Sequence, residues 1–396
     1  MTIAKFTNCT LCDKGVLRHN AELYVDLVAG TIANAPVFFE GEVVDLQGMI
    51  LAPGFLDIQI NGCYGFDFSH FVDEESYLQG YRECLSKLLH TGVTSVCPTL
   101  VTNYPEMYAR VLPLVTGSRN SDTCDSLGAH CEGPFISMNK KGCHPPECLR
   151  DAPNGFASMQ EVYGSENFYE HVAIVTAAPE IEGVLGAVTE LTSKGVVYSI
   201  GHTEADYATS TEAMKLGASM ITHIYNAMPQ PHHREPGVVG LVSDRPVTPY
   251  FGLVADGIHV HHAAAALAYH AAPERCCLVT DAMTWLGCKD GTYAWDDRFV
   301  EKKGPLLHLK GSDTIAGSAT ELPQCIQNLM KWCQISLAEA IGTVTNNPAL
   351  SLGIKHKGYL DVGCDADLTV LDLSGNVKQV YKLGKKVFDD NLKQHL

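Results

Sequence analysis

Eight apolar, β-branched runs, each followed by a segment long enough for a helix, constrain this chain more than any other feature. They are Leu56–Asn61, Thr94–Leu100, Leu127–Glu132, Val172–Pro179, Val196–His202, Met220–Asn226, Tyr250–Gly257 and Cys276–Asp281. Their starts lie 38, 33, 45, 24, 24, 30 and 26 residues apart, which is room for a strand, a crossover helix and two loops. Apolar strands alternating with helices imply a parallel sheet covered on both faces. Eight such units fit an α/β fold of the (β/α)₈ barrel type, typically about 250 residues, although periodicity alone leaves a doubly wound sheet open.

The flanks read differently. Phe6–Cys9, Leu23–Val25 and Val43–Leu46 near one end are short β-like pieces with polar breaks, as are Asp367–Leu371, Val377–Lys382 and Val387-Phe388 near the other. After the eighth run comes a polar insertion, 284–313, then helical segments at Leu322–Trp332 and Leu337–Val344, ending at Asn347-Pro348.

Composition narrows the function. With 46 % hydrophobic and 18 % charged residues the chain can bury a sizeable core and is not disordered. A net charge of −17 argues against a nucleic-acid or anionic-membrane surface. The longest apolar stretch, Ala263–Tyr269, is far short of a span, and the N-terminus reads as no signal peptide. Fifteen scattered cysteines then read as reduced thiols, which predicts a cytoplasmic protein. Cys9-x-x-Cys12 has no second pair and reads as packing.

The unusual polar residues sit at the C-terminal ends of the runs: Gln59 and Asn61, His130 and Glu132, His202, His223 and Asn226, Asp256 and His259, and Asp281. In a parallel barrel those ends converge on one mouth, where buried ionisable groups need hydrogen bonds or a metal. A single buried histidine is ordinarily a satisfied core residue, but several separate strands ending in His, Asp or Glu are poorly explained that way. Glu132, His202 and His223 offer two imidazoles and a carboxylate, a set that suits one divalent cation such as Zn²⁺ with a position left for water. Asp281 can take a proton from that water and deliver it to a leaving amine. His130 faces the same side as Glu132 and is either a ligand or a partner of one.

At these residues the sequence resembles the amidohydrolase superfamily and, within it, the N-acetylglucosamine-6-phosphate deacetylase family. The stretches that carry the resemblance are LAPGFLDIQINGCYG (51–65), GAHCEGPFIS (128–137), KKGCHP (140–145), SIGHTEADY (199–207), THIYNAM (222–228), REPG (234–237), LVADGIHV (253–260), LVTDAM (278–283), AGSA (316–319) and GYLDVGCDADLTVLD (358–372). The resemblance implies a barrel, 53–355, and a small β-sandwich domain built from both termini, 1–52 plus 356–396. It implies hydrolysis of the N-acetyl amide of N-acetyl-D-glucosamine 6-phosphate to glucosamine 6-phosphate and acetate. It also implies a homodimer with the phosphate site partly shared across the interface.

Residue by residue, it places Glu132, His202 and His223 at the metal and Asp281 at the acid–base position. His144 falls where the substrate is contacted near the scissile amide. Asn226, Ala227, Arg234 and His259 fall on substrate-binding positions, the last two at the phosphate. Against −17 overall, Arg234 with His232, His233 and His259 is the cationic cluster for that dianion.

One departure matters. Many amidohydrolases carry His-x-His at the first strand and a lysine on the fourth. Here the first motif is Gln59-Ile60-Asn61, and 172–180 holds no lysine, so one metal per chain is expected. Cyclic-amide hydrolysis of the dihydroorotase or hydantoinase kind usually needs the missing second set of ligands. A metal-free scaffold is disfavoured because Glu132, His202, His223 and Asp281 are all present.

Overall fold

The computed structural model describes residues 3–164, 170–244, 247–295, 298–311 and 315–391. Residues 1, 2 and 392–396 of the expected terminal domain, and 296, 297, 312 and 313 of the expected insertion, lie outside the described residues.

Eight parallel strands form the ring: β1 (Phe55–Ile60), β2 (Val93–Val101), β3 (Ala129–Glu132), β4 (Val172–Ala177), β5 (Val197–Ile200), β6 (Met220–Ile221), β7 (Tyr250–Leu253) and β8 (Cys276–Leu278). Each pairs with the next in sequence. The ring closes where the chain beyond β8 runs beside β1: Asp281 N–H donates to the Gln59 carbonyl and Asn61 N–H to the Ala282 carbonyl, both at 2.9 Å. This resolves the choice left open by periodicity in favour of the barrel. Ile58, Cys97, Ile174, Met220 and Cys277, from β1, β2, β4, β6 and β8, pack into one small cluster with Val254 and Val279, as side chains that fill a barrel interior do. The larger apolar cluster gathers the outward strand residues with the helices between strands.

Helix starts follow the sequence chemistry. The Asp73 side chain accepts from Ser76 N–H ahead of Glu74–Leu88, and Asp206 accepts from Thr209 N–H ahead of Tyr207–Leu216. Ser336 and Glu339 form a reciprocal capping box before Leu337–Gly342.

Two expectations need correction, and the insertion, for which no secondary structure was expected, gains one. The runs overshoot the strands: His202, His223 and Asp281 lie in loops past β5, β6 and β8, because their φ angles of 49°, 29° and 46° leave the extended region and end the ladder. The polar insertion is largely sheet, an antiparallel meander of Gly291–Trp295, Arg298–Lys303, Leu306–Leu309 and Ile315–Ser318. Finally, Asn347-Pro348 ends no helix but lies in the first turn of Asn346–Ser351, where proline costs no hydrogen bond.

The terminal strands join in one ladder. Its order is Lys385–Asp389, Val377–Lys382, Leu368–Leu371, Ile50–Pro53, Ile3–Asp13, Val16–Asp26 and Thr31–Ala33, with Glu42–Asp45 also paired to Ile3–Asp13. Phe6 and Tyr381 lie three strands apart along it, about 14 Å in a flat sheet at ~4.8 Å per strand, yet their rings meet at 4.9 Å. The sheet therefore folds over its own apolar cluster.

Candidate active site

Glu132 is the last residue of β3, while His202 and His223 each lie two residues past β5 and β6. Left-handed backbone at non-glycine residues is uncommon and gathers at functional sites. Gly201 makes the approach of His202 possible, since a Cβ there would lie 2.8 Å from both Thr176 and Thr222. The three side chains converge: Glu132 Oε1 is 3.0 Å from His202 Nε2 and 2.9 Å from His223 Nε2, and the two Nε2 atoms are 3.0 Å apart. Gln59 Nε2 donates to the same Oε1 at 3.2 Å. His202 Nδ1–H donates to the Lys140 carbonyl at 2.7 Å, which leaves Nε2 of the neutral ring as a bare lone pair facing the carboxylate. His223 Nδ1 is buried without a hydrogen-bond partner.

Two lone-pair nitrogens and an anionic oxygen about 3 Å apart fit a divalent cation with bonds of ~2.0–2.2 Å. Protons are the alternative occupant. Burial raises the Glu132 carboxyl, but hydrogen bonds from His202 and His223 outweigh it and hold it well below the usual carboxylate range. Burial lowers His223, but the bond to Glu132 lifts it above the ordinary imidazole value.

Asp281 stands beside this triangle, half-buried, with Oδ1 accepting from Asn61 Nδ2 at 2.9 Å. Burial raises its carboxyl, and the Glu132 charge raises it further. His144 packs against His202, ring centroids 4.6 Å apart. Its Nδ1 lies 2.7 Å from Thr102 Oγ1 and 3.3 Å from Thr102 N, so Thr102 holds that nitrogen and Nε2 is left for the cavity. Burial and the neighbouring His202 push this imidazole down to about 3, making it a neutral donor. His259 Nδ1 donates to Asp256 Oδ2 at 2.7 Å. Burial lowers this imidazole, but that bond more than compensates and raises it.

These groups line one cavity of about 430 Å³ together with Asn226 and Ala227. Its other wall is apolar, from Val101, Ile258, Met283, Trp295, Ile315 and Ala316. The structure thus brings together Glu132, His202, His223, Asp281, His144, Asn226, Ala227 and His259. It does not bring Arg234: that residue is exposed, as are His232 and His233, on a turn closed by reciprocal His232–Glu235 backbone bonds, and none of the three lines the cavity. His130 is no ligand, because Nδ1 is taken by the Ile58 carbonyl at 3.0 Å and Nε2 by Thr176 Oγ1 at 2.7 Å.

Sequence reasoning missed the apolar wall from the meander and the roles of Gln59 and Asn61 as donors to Glu132 and Asp281. It also missed Asp57, whose signal is an acidic residue within the apolar run Leu56–Asn61. Burial pushes the Asp57 carboxyl up to about 7 against hydrogen bonds from Thr280.

The amidohydrolase family model matches residues 50–387. The N-acetylglucosamine-6-phosphate deacetylase of Caenorhabditis elegans is 39 % identical over 401 residues, covering 98 % of this chain and 94 % of its own. The crystal structure of the deacetylase of that name from Pasteurella multocida superposes with a TM-score of 0.85 at 28 % identity, covering 97 % of this chain and 99 % of that one. A variant of the Mycobacterium smegmatis deacetylase, in complex with N-acetyl-D-glucosamine-6-phosphate, gives 0.81 at 28 % identity over 98 % and 99 %. The convergence of an imidazole–carboxylate triangle and an aspartate at a barrel mouth has the same source as these likenesses: the chain belongs to the amidohydrolase family, among its N-acetylglucosamine-6-phosphate deacetylases.

Proposed function

We propose that this chain hydrolyses the N-acetyl amide of N-acetyl-D-glucosamine 6-phosphate, releasing acetate and D-glucosamine 6-phosphate. The observation that carries the reading is the triangle of Glu132, His202 and His223 with Asp281 at its side. Support for the substrate comes from the relatives at 39 % identity and from the neighbour in complex with that phosphosugar.

Glu132, His202 and His223 would hold one Zn²⁺ per chain. Such an ion supplies Lewis-acid polarisation of the carbonyl and acidifies the attacking water. Gln59 and Asn61, where paired histidines would provide a second site, are spent on Glu132 and Asp281 instead. His144, kept neutral by burial, would donate from Nε2–H to the oxygen on which negative charge develops. Asp281 takes a proton from the attacking water and returns it to the sugar nitrogen as the C–N bond breaks. Its raised pKa suits a group that must hold that proton between the two steps. Asn226, Ala227 and His259 orient the sugar phosphate, whose binding energy is used to place the amide.

The same proposal includes a cytoplasmic homodimer and a division into 53–355 and 1–52 plus 356–396. Fifteen free cysteines, most of them buried, support the compartment. The exposed Arg234, away from its own cavity, supports completion of the phosphate site by a second copy. Acetate release from N-acetylglucosamine 6-phosphate, abolished by a chelator and restored by Zn²⁺, is the expected result. Turnover that survives complete metal removal would overturn the reading.

A further inference from the structure

Asp57, on β1, has none of its surface exposed and no cation paired to it among the described residues. A carboxyl taken into a protein interior without a counter-charge is costly, so its bonds show what keeps it there. Oδ2 accepts from Thr280 Oγ1 at 2.5 Å, and Oδ1 accepts from Thr280 N–H at 3.2 Å and Gln59 N–H at 3.4 Å. Thr280 Oγ1, having given its proton to Asp57, accepts from Ala282 N–H at 3.3 Å. The backbone is therefore gripped on both sides of Asp281, whose own N–H is held by the Gln59 carbonyl at 2.9 Å. Between those grips Asp281 adopts φ 46°, a conformation that costs a non-glycine residue energy. Neither Asp57 nor Thr280 lines the cavity, so neither touches a ligand there.

We propose that Asp57 and Thr280 are positioning residues for Asp281, fixing the left-handed turn that aims its carboxylate between the attacking water and the leaving nitrogen. This rests on the acid–base reading of Asp281. Thr280→Val keeps the side-chain volume and removes both hydroxyl bonds. A displaced acid–base group should lower kcat by about 100-fold, with KM held within about twofold because the binding residues are untouched. Thr280→Ser, which restores the hydroxyl, should recover most of that loss, and metal content should equal that of the parent in both. Asp57→Asn retains an acceptor for Thr280 N–H and should give a smaller fall in kcat. It serves as the second probe if Thr280→Val fails to fold.

Unchanged kcat in Thr280→Val, or kcat, KM and metal content failing together in Thr280→Val and Asp57→Asn, overturns the proposal. The measurement is repeated in an Asp281→Asn background. No further loss from Thr280→Val is expected there, whereas an undiminished second loss shows that the pair does not act through Asp281. Near-normal turnover in Asp281→Asn alone would instead overturn the acid–base reading itself.

Discussion

Two clusters of buried carboxylates in this molecule meet opposite fates. At the seam between the barrel and the terminal sheet, Asp125, Asp365 and Asp367 come together around two lysines of the same chain. Lys357 Nζ is 2.6 Å from Asp125, 2.6 Å from Asp365 and 2.9 Å from Asp367, and Lys382 Nζ is 2.7 Å from Asp125 and 2.8 Å from Asp367. At the barrel mouth Glu132 and Asp281 face imidazoles and two amides instead. A lysine is a fixed cation that stays on its stem; an imidazole can give up its proton near pH 7 and then offers a lone pair. The seam is thus complete within the chain and closed to exchange. The mouth keeps its anionic charge only partly balanced and open to a cavity, which is what allows it to take a metal and a substrate.

The largest expected effect separates chemistry from architecture. Asp281→Asn should cut turnover by about 10²- to 10⁴-fold while metal content and melting temperature stay near parental values. If melting fell as steeply as turnover, the mouth would be a structural cluster like the seam, and the contrast would be lost. Acetate release, metal analysis and a thermal melt on one preparation decide between them.

The converse substitution is made at the seam. Lys382 has no exposed surface, and Lys382→Met leaves Asp125 and Asp367 with one cation fewer. Removing one partner of a buried ion network costs about 3–5 kcal/mol, read as a lower midpoint in denaturant. Activity per folded molecule should be unchanged, because the seam contributes no group to the cavity. A stable variant with altered KM or kcat would show that the two clusters communicate.

Sequence legibility divided along the same line. The barrel strands could be read because fully buried parallel strands are continuously apolar, and Glu132, His202, His223 and Asp281 stood out because ionisable groups ended those runs. The seam could not be read. Asp125 precedes β3 in a polar stretch, and Lys357, Asp365, Asp367 and Lys382 look like ordinary surface charges until a ladder from both termini brings them together. The meander was hidden for a related reason: few of its residues are fully buried, Arg298–Lys303 burying only Val300, so no long apolar run announced it. Loop placement of His202, His223 and Asp281 was invisible because left-handed turns at non-glycine residues are imposed by tertiary contacts, among them those of Asp57 and Thr280.

The smallest expected effect bears on how self-sufficient the mouth is. Within one chain the cavity is lined by His259, held by Asp256, while Arg234 lies outside. If Arg234 serves the cavity of a second copy, Arg234→Ala should raise KM for N-acetylglucosamine 6-phosphate by about tenfold, one charge-assisted contact's worth. KM for unphosphorylated N-acetylglucosamine should scarcely move. The geometry also permits a sharper form. In a mixed dimer of Arg234→Ala and Asp281→Asn chains, the cavity that keeps Asp281 receives an intact Arg234 from its neighbour. Mixing should therefore restore the parental KM in part of the population. If mixing changes nothing, Arg234 either acts within its own chain or plays no part, and the mouth is as self-contained as the seam.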